Sequence, residues 1–484
     1  MGLIALLACS TPAPLVTPTE LVFVRDGVLL DAPVPGSRPA GARHYLDQAW
    51  QSGQAVSVSG LEATAPRRAE CLALFSIELG DVSELVAMGG AAPTTSMAFD
   101  PTGERLAVGS TLGELVVAEA WTGREIARRR LSEAMVKWLA WSPDGATLYA
   151  VEQSPDAFVH ALDPLTLESR WTLRLADLVE TSPMPSPEDT YGVFDLPGSY
   201  GLLVLDSGEL ILAAMHGWSA EAGRRNAGQI LKVSPSGAIL QRWPSEPAEA
   251  LFRHPVSDGR HLAFSVSSSS ATPASELPIG GLQVLDLERL EPVVAVQVEP
   301  LLPWYSYAYA WEAVGVAGDL LFMGFGDGRV RLHDLSGAER VALDVGTPIL
   351  SGEVPISATI GHGQLLDDSL VFITSRTVIP WGAASPELRP PTSHPRANAV
   401  FVHALDGQLE WTWSGEQELD GMDVLGDSLL VGAGPRATDE RRDLYGGLLF
   451  SLIGEGSGEQ RLQAFCPTEG PVFFRQAQSP AGAI

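Results

Sequence analysis

Residues Met97–Gly103 read MAFDPTG, and a related stretch, LAWSPDG, follows 42 positions later at Leu139–Gly145. Each copy leads into a second apolar run, Leu106–Val108 after the first and Leu148–Ala150 after the second. Proline presets φ and glycine tolerates positive φ, so each Pro-x-Gly marks a tight turn between apolar segments. The pattern therefore predicts a repeated unit of short antiparallel strands joined by turns.

A period of about 40–45 residues built from short strands is the signature of β-propeller blades. We predict an all-β fold, a single β-propeller of four-stranded antiparallel blades, with eight blades preferred over seven. The first blade is irregular and lacks a strand, which Pro471–Arg475 can supply. The expected blades are Leu21–Leu30 with Val56–Met88, Thr95–Leu131, Val136–Leu175, Tyr200–Trp243, Leu251–Val298, Trp311–Val345, Ile356–Trp413 and Met422–Phe465.

The composition indicates a globular protein with a large apolar core and a strongly acidic surface. The chain is 45% hydrophobic, which suffices for a large globular core, and its net charge is −28. Such a surface repels phosphate backbones, so nucleic acid is not an expected partner.

The N-terminal segment resembles that of bacterial lipoproteins. Leu6–Cys9 reads LLAC and is similar to the lipobox, whose cysteine is diacylated and becomes the mature N-terminus. The resemblance implies a signal segment at residues 1–9, a flexible tether at residues 10–19 and a propeller at residues 20–484. Ser10, a residue other than Asp after the cysteine, implies the outer membrane, with the protein facing the periplasm or the cell surface. The alternative is an untargeted apolar N-terminus.

Cys71 and Cys466 remain once Cys9 is set aside. They lie near the two ends of the predicted fold, which a ring would bring together, and an envelope compartment favours disulfides. We predict a disulfide between Cys71 and Cys466, with two unrelated buried thiols as the alternative.

Two repeat styles resemble known propeller families. Phe325–Gly337 resembles a WD repeat, with His333-Asp334 where that family has Trp-Asp. The sequence FVHALD occurs at Phe158–Asp163 and at Phe401–Asp406 and is similar to the quinoprotein (PQQ-like) repeat. Quinone dehydrogenases of that type use a vicinal disulfide, a calcium site and an Asp base. The isolated cysteines do not provide the vicinal disulfide, so no cofactor is expected.

The sequence contains no recognised catalytic or metal-binding motif. His160, His333 and His403 lie in predicted third strands and are interpreted as structural. Rim loops on a rigid scaffold usually carry binding. The candidate binding-loop residues are His216, Trp381 and His394, and His362 could join the two histidines on one rim. The expected loop insertions are Asp31–Gln54, Val179–Ser199, His216–Gly228, Ser267–Gly280, Thr377–Ala399 and Gly432–Gly446.

The sequence thus predicts a non-catalytic, lipid-anchored propeller of the cell envelope that serves as a protein-interaction platform. In anchor and architecture it resembles the propeller lipoproteins of the outer-membrane barrel-assembly machinery. Two alternatives stay open. One is an envelope enzyme of quinoprotein- or lactonase-like type, with its site at the central channel. The other is a cytoplasmic WD-type scaffold. The partner itself is not identified by the sequence.

Overall fold

The computed structural model describes residues 94–465, with gaps. The gaps are residues 103, 111–112, 120–124, 132–134, 180–195, 221–222, 271–272, 300, 302–308, 367, 379–392, 415–417, 426–427, 435–445 and 452–462. The predicted lipobox, tether, first blade, Cys71–Cys466 disulfide and closing strand at Pro471–Arg475 lie outside the described residues and stay predictions.

The described chain falls into two compact units, one of residues 94–154, 159–173 and 420–465, the other of residues 155–158 and 174–419. The first unit holds three four-stranded antiparallel sheets, here named blades A, B and G. Their strands are β1 (Thr94–Phe99), β2 (Arg105–Ser110), β3 (Glu114–Glu119) and β4 (Glu125–Arg130) in blade A, β5 (Met135–Trp141), β6 (Leu148–Gln153), β7 (Phe158–Leu162) and β8 (Ser169–Arg174) in blade B, and β26 (Glu418–Leu425), β27 (Ser428–Gly434), β28 (Gly446–Ser451) and β29 (Gln463–Phe465) in blade G.

The second unit holds blades C, D, E and F, and a short 3-10 helix at Leu175–Asp177. Blades E and F belong to one larger sheet, because their first strands pair in parallel at Glu312 and His362. The strands are β9 (Gly198–Val204), β10 (Leu210–Ala220), β11 (Gly223–Val233) and β12 (Ile239–Ala248) in blade C, β13 (Leu251–Ser257), β14 (His261–Ser267), β15 (Gly281–Asp286) and β16 (Pro292–Val296) in blade D, β17 (Tyr309–Ala317), β18 (Leu320–Phe325), β19 (Arg329–Asp334) and β20 (Glu339–Asp344) in blade E, then β21 (Ile349–Ser351), and β22 (Val354–Leu365), β23 (Ser369–Val378), β24 (Ala399–Ala404) and β25 (Leu409–Ser414) in blade F.

Burial within the blades follows strand position. The second strand of blade B and the third strand of blade E are buried at every position, as strands covered on both faces should be. The fourth strands β20 and β25 alternate between exposed and half-buried residues, because one face packs and the other meets solvent. Between blades C and D the core contains Phe252 and Phe264, whose ring centroids lie 5.3 Å apart.

The predicted turn at Pro143–Gly145 is present where the sequence placed it. Gly145 closes the Pro143–Gly145 turn with φ at +66°, a conformation that favours glycine, and its N–H donates to the Ser142 carbonyl at 2.8 Å. In blade E, Asp334 accepts hydrogen bonds from the Ser336 and Ala338 backbone N–H groups at 2.8 and 3.1 Å and so fixes the following turn.

The predicted fold class, an all-β propeller architecture of four-stranded antiparallel blades, is confirmed, while the number of blades stays a prediction. One expected loop was wrong, and the ends of four others reach one to three residues into strands. The segment His216–Gly228, expected as a loop, is a β-hairpin formed by the ends of β10 and β11. No helix in the described part of the chain has the length and apolar character needed to span a bilayer.

Candidate functional site

The hairpin of strands β10 and β11 extends beyond the other two strands of blade C. Strands β10 and β11 pair without interruption from Leu210 opposite Val233 to Ala220 opposite Gly223. The neighbouring strands stop earlier, because β9 reaches only Met215 and β12 reaches only Gly228. The end of the hairpin, here named the hairpin extension (residues 216–227), is therefore paired only with itself within the sheet.

The side chain of Asn226 clamps the hairpin extension to the segment that follows β14. Its Oδ1 accepts hydrogen bonds from the Ser269 N–H at 2.7 Å and from the Ser268 hydroxyl at 3.0 Å. Its Nδ2 donates to the Ser269 hydroxyl at 3.0 Å, and its backbone N–H donates to Glu249 Oε2 at 2.9 Å. Asn226 is buried, so these bonds are shielded from water and hold the extension in one position.

Aromatic and charged groups pack on the same extension. The ring centroids of His216 and Trp218 are 4.7 Å apart, and the Arg225 guanidinium lies 5.6 Å from the Trp218 ring. Arg225 also forms an ion pair with Glu249. His216 is 1% exposed, so it contributes to the packing of the hairpin and is not an exposed loop residue as expected.

His394 is also built into the structure. Its Nε2 donates to the Thr347 carbonyl at 3.1 Å, and its Nδ1 accepts the Arg396 N–H at 3.1 Å. Its own N–H donates to the Thr377 hydroxyl at 2.9 Å. Burial lowers the pKa of His394, which keeps the ring neutral at pH 7. The side chain thus fixes the turn before β24 and is not exposed for binding in this structure.

The candidate residues do not assemble a metal site. His216 and His362 lie in strands and His394 in a turn, all three buried, whereas Trp381 is outside the described residues. Among the residues that the structure describes, no three His, Cys, Asp or Glu side chains are grouped so that they could hold a metal ion. Zinc sites need three or four convergent ligands.

The histidines of the third strands have structural contacts, in agreement with their interpretation from the sequence. His160 Nε2 lies 2.9 Å from Glu152 Oε1. Nδ1 of His333 and of His403 lies 3.2 and 3.0 Å, respectively, from the carbonyl oxygen of the glycine four residues further on. Each of these two rings therefore donates to the turn that leads into the fourth strand.

A groove of about 660 Å³ separates the fourth strands of blades C and D. One wall is the end of β12 and the other is β16, with residues of β15 and of the segment before it completing the lining. The lining residues are Trp243, Pro244, Ser245, Glu246, Pro247, Ala248, Glu276, Leu277, Gln283, Pro292, Val293, Val294 and Ala295.

Two buried glutamines hold the walls of this groove. Gln229 Nε2 donates to the carbonyl oxygens of Pro244 and Ser245, at 2.8 and 3.1 Å. Gln283 Nε2 donates to the Val294 carbonyl at 3.1 Å. Both walls are thereby fixed from the interior, so that the groove is formed before any ligand arrives. Gln229 and Gln283 were not predicted from the sequence, because a single buried glutamine within a strand forms no motif.

The observed blades define the protein as a β-propeller. In the described residues it has two candidate binding surfaces, the hairpin extension and the groove. No family model and no curated protein matches the chain. It is similar in fold to BamB from Moraxella catarrhalis, at 12% identity over 71% of this chain and 81% of that chain, with a TM-score of 0.45. It is also similar to the C-terminal WD40 domain of Sif2, at 14% identity over 75% and 82%, with a TM-score of 0.44. A third similar structure is the Dos1 propeller, at 12% identity over 75% and 80%, with a TM-score of 0.46.

Proposed function

We propose that the chain is a non-catalytic, lipid-anchored propeller of the cell envelope that serves as a protein-interaction platform. The observation that carries this proposal is the hairpin extension. It continues past the four-stranded part of blade C, and the Asn226 contacts hold it rigid. Its base is buried and Ala220 at its tip is exposed, so the tip would present surface to a partner at low entropic cost, because little ordering remains to be done on binding.

The contacts of the histidines support a non-catalytic role. A general base or a metal ligand needs a ring nitrogen that faces a substrate. In the described residues the rings of His333, His394 and His403 bond to backbone groups that shape turns, and all three side chains are buried away from any substrate in solution. His160 is buried against Glu152.

The proposed anchor is Cys9, acylated after cleavage of residues 1–8. Two acyl chains bind a bilayer stably, since each buried CH₂ contributes about 0.8 kcal/mol. Residues 10–19 would then act as a tether between the bilayer and the acidic propeller, which anionic headgroups would repel.

Site-specific photo-crosslinking tests the platform. The two lysines of the chain, Lys137 and Lys232, are both buried, so amine-reactive crosslinkers suit it poorly. A photoreactive residue at Ala220, exposed at the end of β10, should capture a defined protein in cells that express the native chain. The matched control is Ser236, exposed in the turn between β11 and β12 of the same blade. Capture from neither position, or equally from both, would contradict binding through the hairpin extension.

A further inference from the structure

The fourth strand of blade D is an open sheet edge with apolar side chains. Strand β16 ends the order β13-β14-β15-β16, and no further strand pairs with it in the described part of the chain. Its sequence is PVVAV, and Val293 is 44% exposed. Apart from Pro292, which has no N–H, this unpaired and valine-rich edge offers backbone donors and acceptors to another extended chain.

Strand β12, the opposite wall of the groove, is not suited to pair with the open edge of β16. Strand β12 carries Pro244 and Pro247 where it lines the groove, and proline has no N–H to donate. Trp243 stands beside them, with its ring 5.2 Å from Phe252 and 5.6 Å from Phe264. This wall is therefore an apolar, anchored surface that faces an edge with open hydrogen-bonding groups.

The charge of the groove selects its occupant. Glu246 and Glu276 are the charged side chains among the lining residues, and both are exposed to solvent. A ligand that places arginine or lysine between apolar residues would meet two carboxylates at the rim and apolar walls below it. A second copy of this chain, with a net charge of −28, would instead bring like charge to the groove.

We propose that the groove between β12 and β16 binds an extended, basic segment of another protein, which adds to blade D as a fifth strand along β16. This inference rests on the proposed function, because it assumes that the chain binds proteins, and it names a second site on blades C and D. The main-chain hydrogen bonds of β16 would supply affinity, and the groove lining would supply specificity.

A displayed library of random dodecapeptides tests the inference on the full chain. Peptides selected by the wild type and depleted on Val293→Lys should alternate apolar residues with arginine or lysine. Their affinity should fall at least about tenfold on Val293→Lys, because the new ammonium occupies the groove and repels them. Leu240→Lys is the matched control. Leu240 is an exposed aliphatic residue of β12 outside the groove lining, and its substitution should change affinity by less than about twofold.

The contribution of the two groove carboxylates is tested with a pair of double variants. Glu246→Gln with Glu276→Gln should weaken the selected peptides about fivefold and remove most of the salt dependence of binding. The control double variant is Glu288→Gln with Glu291→Gln, at two exposed positions of blade D outside the groove lining, and it should leave binding unchanged. Selected peptides without basic residues, or equal losses in both pairs, would overturn the charge assignment.

Backbone pairing is tested by methylating alternate amides of a selected peptide. Alternate N–H groups of an extended chain face the same side, so methylation of one set should abolish binding and methylation of the other should be tolerated. Tolerance of both sets, or the absence of any selected peptide, would refute strand addition. Dimerisation of the wild type that Val293→Lys abolishes would assign the groove to a second copy instead. A partner captured from Ala220 while all groove variants behave as wild type would leave the platform intact and refute the groove alone.

Discussion

At the residue scale, the repeated motif that predicts the fold also forms the contact between blades A and B. Trp141, in the second repeat, donates its Nε1–H to the Ala98 carbonyl of the first at 3.0 Å. The Arg105 guanidinium lies 4.7 Å over the Trp141 ring and donates to Asp100 and to the Gly145 carbonyl, each at 2.8 Å. The two repeats thus meet at one junction, to which each contributes an apolar strand and the turn that follows it.

Loss of the Arg105 cation should destabilise the protein more than loss of a surface arginine. Asp100 is buried, so Arg105→Met would leave a buried carboxylate without its cation, and we expect a loss of about 2 kcal/mol in the free energy of unfolding. Arg170→Met is the control. Arg170 and Asp163 form an ion pair in which both partners are substantially exposed, and its loss should cost below about 1 kcal/mol. Urea denaturation measures both, and equal losses would contradict the assignment.

Two buried histidines should make stability depend on pH. Burial lowers the pKa of His394 and of His403, so the unfolded chain binds protons below about pH 6.5 that the folded chain does not. The free energy of unfolding should therefore fall as the pH drops from 7 toward 5, by at most about 1.4 kcal/mol per pH unit for each ring. His394→Gln with His403→Gln should flatten this slope in denaturation series. An unchanged slope would place the titrating groups elsewhere.

Single residues were predicted well where a turn or a core position required them. The Pro143–Gly145 turn and the buried third-strand histidines follow from local chemistry that the sequence displays. Asn226 was missed, because its importance depends on Ser268 and Ser269, more than 40 residues away in the chain. A hydrogen-bond clamp of that kind leaves no periodic signal.

At the element scale, the hairpin extension shows how tertiary context extends a strand. Its sequence is rich in polar and small residues, so residues 216–228 were predicted as a loop. The register fixed in the buried part of β10 and β11 continues outward, and each further pair closes without slippage up to Ala220 opposite Gly223. The alternating strand pattern is missing because several of the buried positions are polar or small, such as His216, Asn226 and Ala227.

Removal of the clamp should loosen the extension without unfolding the blade. Asn226→Ala deletes the bonds to Ser268 and Ser269, a local loss of about 2 kcal/mol, and the amides of residues 216–227 should exchange hydrogen roughly 30-fold faster. Ser268→Ala removes a smaller share of the same contacts and should have a smaller effect. Amides of β14 serve as the internal reference. Equal acceleration there would mean that Asn226 stabilises the whole blade.

At the scale of the whole molecule, the repeat predicted the described blades closely. The expected blade Thr95–Leu131 matches β1 to β4, and Met422–Phe465 matches β26 to β29 apart from a few residues at its start. Periodicity succeeds here because blades B to F bury their inner strands and because Gly, Pro or Asp residues form the turns between strands. The groove was not predicted, because its walls come from the ends of two different blades and each wall alone resembles an ordinary outer strand.

The anchor is a property of the whole molecule, and one substitution tests it. If Cys9 is acylated, Cys9→Ser should move the protein from the membrane fraction to the soluble fraction while its thermal unfolding stays unchanged, because the lipid contributes nothing to the blade cores. Ten tether residues at up to ~3.3–3.6 Å each would let the wild-type propeller stand ~30 Å from the bilayer. A palmitate analogue should label the wild type and not the variant. Membrane retention of Cys9→Ser, or no label on the wild type, would refute the lipoprotein anchor and favour a cytoplasmic scaffold.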